Sequence, residues 1–132
     1  MLRRLNHVAI AVPALGPALA PYETALGAEI GPAEDQPEHG VRTAFVALPN
    51  TTIEFLEPLG DDSPITGFLA RNPGGGLHHL CYEVADLDAA ILRLSGRGMR
   101  LLGAARTGAH GKRVVFLHPK DFSGVLIELE EA

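Results

Sequence analysis

The sequence predicts an α+β domain made of two tandem βαβββ modules. The expected architecture is a cupped mixed sheet around a metal site, with helices on the convex side. Three observations predict this: an internal repeat, the same switch of periodicity in both copies, and a histidine and a glutamate at equivalent places in each. Aligning His7 with His79 sets an offset of 72 residues, and Leu15 then meets Leu87, Ala18 meets Ala90 and Leu19 meets Ile91. Later segments drift, with Phe45 over Phe116 at an offset of 71 and Ile53-Glu54 over Ile127-Glu128 at 74. Short insertions explain that drift. The chain reads as one domain, 1–132, with module one about 1–60, a connector 61–75 and module two about 76–132.

The elements follow in order. His7 to Val12 alternates with a strand period, and Leu15, Leu19, Tyr22 and Leu26 follow a helical one up to Gly27. Pro21 predicts a kink or a late helix start, because an interior proline clashes with the carbonyl four residues back. Val41 to Leu48 and Thr52 to Leu56 read as strands about a Pro49-Asn50 turn. In the connector, Ser63 is the expected N-cap and Pro64 the first residue of a short helix that stops before Asn72-Pro73. Gly74-Gly75-Gly76 then reads as a flexible hinge, since it leads into a strand and lacks a phosphate loop's helix. Module two repeats the plan. His79 to Val84 is a strand, Asp86 to Ser95 a helix, and Val114 to Leu117 and Val125 to Leu129 are strands. Weak strands are expected near Met99–Leu102 and Glu29–Ile30.

Composition removes several functional classes. The 132 residues have 46% hydrophobic content, ordinary for a globular chain of this size. Net charge is −5, tryptophan is absent and aromatics make up 5%, so neither a basic nucleic-acid face nor a base-stacking platform is expected. No apolar run approaches the ~20 residues of a membrane helix. Cys81 is the single cysteine, so no intrachain disulfide forms, which fits a reducing compartment. Met1 leads within a few residues into the first alternation, and a cytoplasmic location without a leader is the expectation.

Strand alternation sorts the side chains by face. Val8, Ile10, Ile53, Phe55, Leu80, Tyr82, Val84, Ile127 and Leu129 fall on the side expected to meet the helices. The other side collects His7, Glu54, His79, Glu83 and Glu128, groups that cost free energy to bury alone. Taken singly, each reads as a partly exposed or solvated side chain. Their paired occurrence in two repeats points instead to a divalent metal site of imidazole and carboxylate ligands, with room for a chelating substrate. Cys81 shares the face of His79 and reads as a small buried thiol. His78 faces the other way, and His39, His110 and His118 fall in expected surface loops. Gly108-Ala109-His110-Gly111-Lys112-Arg113 is a glycine-flanked basic loop, readable as a phosphate contact or as a solvated hairpin tip. Lys120 has the same two readings.

Several segments carry a resemblance along nearly the whole chain: Leu5-Asn6-His7-Val8-Ala9-Ile10-Ala11-Val12, Pro37-Glu38-His39-Gly40-Val41, Ile53-Glu54-Phe55-Leu56-Glu57-Pro58-Leu59, Asp62-Ser63-Pro64-Ile65, Gly76-Leu77-His78-His79-Leu80, Gly108-Ala109-His110-Gly111-Lys112, Phe116-Leu117-His118-Pro119-Lys120-Asp121 and Gly124-Val125-Leu126-Ile127-Glu128-Leu129. With them the chain resembles the vicinal oxygen chelate superfamily and, within it, the methylmalonyl-CoA epimerase family, for which the last four segments together are specific. The resemblance implies metal ligands at His7, Glu54, His79 and Glu128, with cobalt the usual ion and other divalent ions possible. It implies interconversion of the 2R and 2S forms of methylmalonyl-CoA by α-proton removal through a metal-stabilised enolate, with Glu128 as one acid–base group. A homodimer is also implied. One departure stands out: Thr43 occupies the place where some members carry a second catalytic glutamate. Glu83, or a water held at Thr43 or on the metal, is then the candidate for the second proton relay. Thr43, Lys112, Arg113 and Lys120 are candidate substrate contacts. A glyoxalase I-like lyase or isomerase, and a metal-free ligand-sequestering module of the same fold, are the competing readings.

Overall fold

The computed structural model describes residues 1–132 and divides into two compact units, Val8–His78 and Met1–His7 with His79–Ala132. These boundaries differ from those of the repeat: the first seven residues pack with the second copy. The fold is α+β. Each βαβββ copy forms: β1 (Leu2–Ala11), α1 (Leu15–Thr24), β2 (Glu34–Gln36), β3 (Val41–Ala47) and β4 (Thr52–Pro58) in the first, and β5 (Gly76–Val84), α3 (Leu87–Gly96), β6 (Arg106–Thr107), β7 (Arg113–Leu117) and β8 (Leu126–Glu131) in the second. A short helix α2 (Thr66–Arg71) lies between them. No helix is long and apolar enough to cross a membrane.

In the Val8–His78 unit the strands run in the order β2-β3-β4-β1. The β3–β4 hairpin pairs antiparallel from Val41↔Pro58 to Ala47↔Thr52, closed by a Leu48 N–H to Thr51 carbonyl bond of 2.9 Å. Helix α1 packs Leu15, Leu19 and Tyr22 on Val12, Ala44, Val46 and Phe55, the expected helix-facing side. Burying a side chain such as Phe55 contributes about 1.5–3 kcal/mol. The opposite face carries a second cluster, in which Ala9, Ala11, Val41 and Leu56 meet Ile65, Phe68 and Leu69 of the α2 segment. Helix α2 thus covers part of the face that also bears Thr43 and Glu54, by the register Thr43↔Leu56 and Phe45↔Glu54.

The other unit runs β5-β8-β7-β6, with β5 and β8 parallel and the remaining pairs antiparallel. Its core joins Leu87, Ala90 and Leu94 of α3 to Val84, Val115, Leu117, Ile127 and Leu129. The two repeats share one half-buried device. Glu57 of β4 accepts the first N–H of α1, at Leu15, and Glu131 of β8 accepts the first N–H of α3, at Leu87, both at 2.9 Å. A carboxylate there satisfies an orphan donor and complements the helix dipole.

Several local expectations change. Helix α1 runs through Pro21 rather than starting after it, because the proline removes only one intrahelical bond and its own carbonyl still accepts from Ala25 and Leu26. Ser63 is not the N-cap of α2: Ile65 holds that position, and the buried Ser63 hydroxyl has no partner. The triple glycine is not a loose hinge. Gly75 has φ +87°, and a Cβ there would sit 2.6 Å from the Ala11 carbonyl oxygen, so a tightly packed turn requires glycine. The weak strands near Ile30 and Leu101 reduce to single bridges, to Val46 and Leu117.

Candidate metal centre

Three of the expected ligands lie in one unit, on β1, β5 and β8. The parallel register sets Cys81 opposite Glu128, so His79, Cys81, Glu128 and Glu130 share one sheet face. His7, His79 and Glu128 are all buried. Their donor atoms converge. His7 Nε2 lies 3.2 Å from His79 Nε2, and Glu128 Oε2 lies 3.3 Å from the first and 2.9 Å from the second. His7, Cys81 and Glu128 also bring ligand atoms within 4.8 Å of one another.

The protonation pattern follows from the hydrogen bonds. The amide of Asn6 donates from Nδ2 to Glu83 Oε2 at 2.8 Å, which leaves Asn6 Oδ1 as the acceptor facing His7 Nδ1 at 2.7 Å. His7 therefore carries its proton on Nδ1 and, when neutral, presents a lone pair at Nε2. Two imidazole nitrogens and a carboxylate oxygen then face each other and need a cation between them, either a proton or a metal ion. The spacing fits a metal: adjacent octahedral ligands at the usual ~2.1 Å bond length stand about 3 Å apart. Burial by itself would raise the Glu128 carboxyl. Hydrogen bonds shared with His7 and His79 outweigh it and hold the group well below the ordinary carboxylate range.

Glu54 is buried on β4 of the other unit, opposite Phe45. Thr43, two residues from Phe45 on the same face, is 2% exposed and its hydroxyl has no hydrogen-bond partner. A buried unpaired hydroxyl costs about 1–3 kcal/mol and points to a missing water or ligand. Glu83 lies on β5. One of its oxygens accepts from Asn6 and lies 3.5 Å from Arg4 Nε, at the Nδ1 end of His7, away from the converging donors. Arg113 is engaged by Asp88 through two exposed bonds of 2.8 and 3.3 Å and lies 3.6 Å from Glu131. Lys112 sits at an exposed hairpin tip and Lys120 in an exposed 3-10 turn.

Sequence reasoning missed three neighbours of the centre. His110 was expected at the surface, yet its ring stands edge-on to His7 at 5.7 Å and its Nδ1 lies 3.5 Å from the buried Glu130. Phe116 lies edge-on to His79 at 5.6 Å beneath the Arg106 guanidinium. The repeat did signal Phe116, since Phe45↔Glu54 and Phe116↔Glu128 are matching cross-strand pairs. Asn6 carried no signal beyond its place beside His7.

Residues 6–116 match the model of the glyoxalase/bleomycin resistance protein/dioxygenase superfamily. The chain is 59% identical over 133 residues to the ethylmalonyl-CoA/methylmalonyl-CoA epimerase of Cereibacter sphaeroides, covering 99% of each chain. Among solved structures, the methylmalonyl-CoA epimerase of Mycobacterium tuberculosis matches with a TM-score of 0.87 and 40% identity, over 98% of this chain and 88% of that one. A methylmalonyl-CoA epimerase in complex with methylmalonyl-CoA and NH4+ matches with a TM-score of 0.88 and 35% identity, over 100% and 96%. Sequence and structure converge on one assignment: the chain belongs to the glyoxalase/bleomycin resistance protein/dioxygenase superfamily and, within it, to the methylmalonyl-CoA epimerases.

Proposed function

We propose that this chain is an isomerase that inverts the α-carbon of methylmalonyl-CoA, with a divalent cation, cobalt by preference, held by His7, Glu54, His79 and Glu128. The observation that carries the reading is the convergence of His7 Nε2, His79 Nε2 and Glu128 Oε2 within 3.3 Å, buried and short of a cation. Glu54 joins them as the repeat counterpart of Glu128, just as His7 is the counterpart of His79. A divalent cation there would polarise the thioester carbonyl and stabilise the negative charge that develops as the α-proton leaves.

The chain's own groups supply the rest. Glu128 is a carboxylate at neutral pH and takes the α-proton from one face. A water held by the unpaired Thr43 hydroxyl returns a proton on the other face. Lys112, Arg113 and Lys120 are the candidates for the nucleotide phosphates, since all are exposed cations. Family resemblance supports a homodimer, which light scattering would check.

Proton NMR in D2O tests the reading. One epimer of methylmalonyl-CoA, or of ethylmalonyl-CoA, is incubated with purified protein with and without cobalt. Cobalt-dependent loss of the α-proton signal together with inversion is expected. Bound metal without exchange would sink the epimerase assignment. Exchange that persists after chelation, with no metal in the protein, would sink the metal-dependent mechanism.

A further inference from the structure

We infer that Asn6 and Glu83 form a fixed relay behind His7 that selects its metal-binding tautomer, and that both are positioning residues for the metal. The inference rests on the metal centre proposed above and assigns groups which that proposal leaves unused.

The direction of each bond is set by chemistry. Glu83 Oε2 as a carboxylate only accepts, so the Asn6 atom 2.8 Å away must be the amide nitrogen. That fixes the amide orientation and turns Oδ1 toward His7 Nδ1 at 2.7 Å. An amide oxygen only accepts, so Nδ1 must donate. The one-way chain runs from His7 Nδ1–H to Asn6, and from Asn6 to Glu83. Its outer end lies near Arg4, whose Nε is 3.5 Å from the same Glu83 oxygen. The other end of the imidazole, Nε2, is the atom that meets His79 and Glu128.

A neutral imidazole has two tautomers, and only one leaves Nε2 able to bind a cation. Without the relay the ring could place its proton on Nε2 and donate it to the Glu128 oxygen 3.3 Å away. That alternative removes a metal donor and a carboxylate lone pair together. A hydrogen bond from the non-ligating nitrogen also fixes the ring plane and raises ligand basicity. The residue next to the ligand therefore does what a distant carboxylate does in many metal centres, with Glu83 holding Asn6 in its working orientation.

The test uses the full-length protein, cobalt as the probe, and four variants: Asn6→Leu, Asn6→Asp, Glu83→Ala and Glu83→Gln. Long-range proton–nitrogen correlation spectra of the metal-free protein read the His7 tautomer directly, without any activity. Wild type is expected to show the proton on Nδ1 alone, and Asn6→Leu a mixture of tautomers. Chelator competition is expected to show cobalt binding about 10–100-fold weaker in Asn6→Leu. Glu83→Ala should move both readouts the same way by less, and Glu83→Gln should restore them, because its side-chain oxygen still accepts from Asn6. Asn6→Asp keeps an acceptor for Nδ1 and should keep the wild-type tautomer. If Asn6→Leu does not fold, the Glu83→Ala and Glu83→Gln pair carries the test. A wild-type proton on Nε2 overturns the inference, as does a cobalt affinity within twofold of wild type in both Asn6→Leu and Glu83→Ala. If wild type takes up no cobalt at all, the metal centre falls, and the tautomer spectra still decide whether the relay exists.

Discussion

The two repeats agree in their ligand-bearing framework and diverge one position further along the sheet. In both, a phenylalanine stands opposite the candidate carboxylate, Phe45 against Glu54 and Phe116 against Glu128. In both, the glutamate three residues beyond that carboxylate caps the helix of its own repeat, Glu57 for α1 and Glu131 for α3. The next cross-strand pair differs. The first repeat sets Thr43 opposite Leu56, and the second sets Val114 opposite Glu130. Each copy thus buries one extra polar group, but on opposite strands. In the second, Glu130 has His110 at 3.5 Å. In the first, Thr43 has nothing. The second copy supplies a neighbour for its extra polar group, whereas the first leaves its hydroxyl without a partner. Duplication explains the common framework, and the proposed water at Thr43 would account for the asymmetry.

The largest test of this division of labour sets Glu128→Gln against Glu54→Gln. Both are expected to weaken cobalt binding. Glu128 also carries a proton in the proposed reaction, and losing a positioned acid–base group costs about 10²–10⁴-fold. Saturating cobalt should therefore bring Glu54→Gln back to within about tenfold of wild-type turnover, while Glu128→Gln stays down. Equal recovery of the two variants in a D2O exchange assay would make the repeats functionally equivalent and remove the proton role from Glu128.

Next in size is a pair of changes at the divergent position. Thr43→Val removes the unpaired hydroxyl at nearly constant volume. Stability should hold or rise by about 1 kcal/mol, since a buried unsatisfied group is gone. Return of the proton should nevertheless slow by about tenfold or more. His110→Ala should act in the opposite sense on stability, because it strips the buried Glu130 of its neighbour and costs about 1–3 kcal/mol. Thermal melts and exchange kinetics on both variants check this. A Thr43→Val protein that is less stable and fully active would mean that the first copy's hydroxyl serves the fold alone.

The repeat and the strand alternation made the framework legible in the sequence. Period-two spacing fixes which side chains share a face, and this brought out His7, Glu54, His79 and Glu128 without any contact being known. What escaped were partnerships set by tertiary register. Nothing local says that Glu83 holds Asn6, 77 residues away, or that Glu130 is buried beside a loop histidine. Nor does anything local say that Glu131 meets the N-terminus of α3. Ser63 failed as a cap for the converse reason. Its sequence is a good helix start, but the Pro64–Ile65 turn displaces the first helical residue to Thr66.

The smallest expected effect lies on the surface of the second copy. Arg100 grips Asp121 through its backbone N–H at 2.9 Å and its guanidinium at 2.8 and 3.2 Å. These bonds, the side-chain one foremost, hold the Asp121 carboxyl down at about 2. An unfolded aspartate titrates near 3.9. The folded value is the lower one, so the clamp's contribution is fully present above about pH 4. It is lost as the pH falls through 2, where Asp121 takes up a proton in both states. The site is solvated, so the contribution is small and salt-sensitive. Melting curves of Asp121→Asn against wild type should differ slightly at pH 6, converge between pH 4 and pH 2, and draw together at high salt. A difference that survives unchanged to pH 2 would show that the backbone geometry at Arg100, and not the carboxylate charge, ties this turn to the β7 edge.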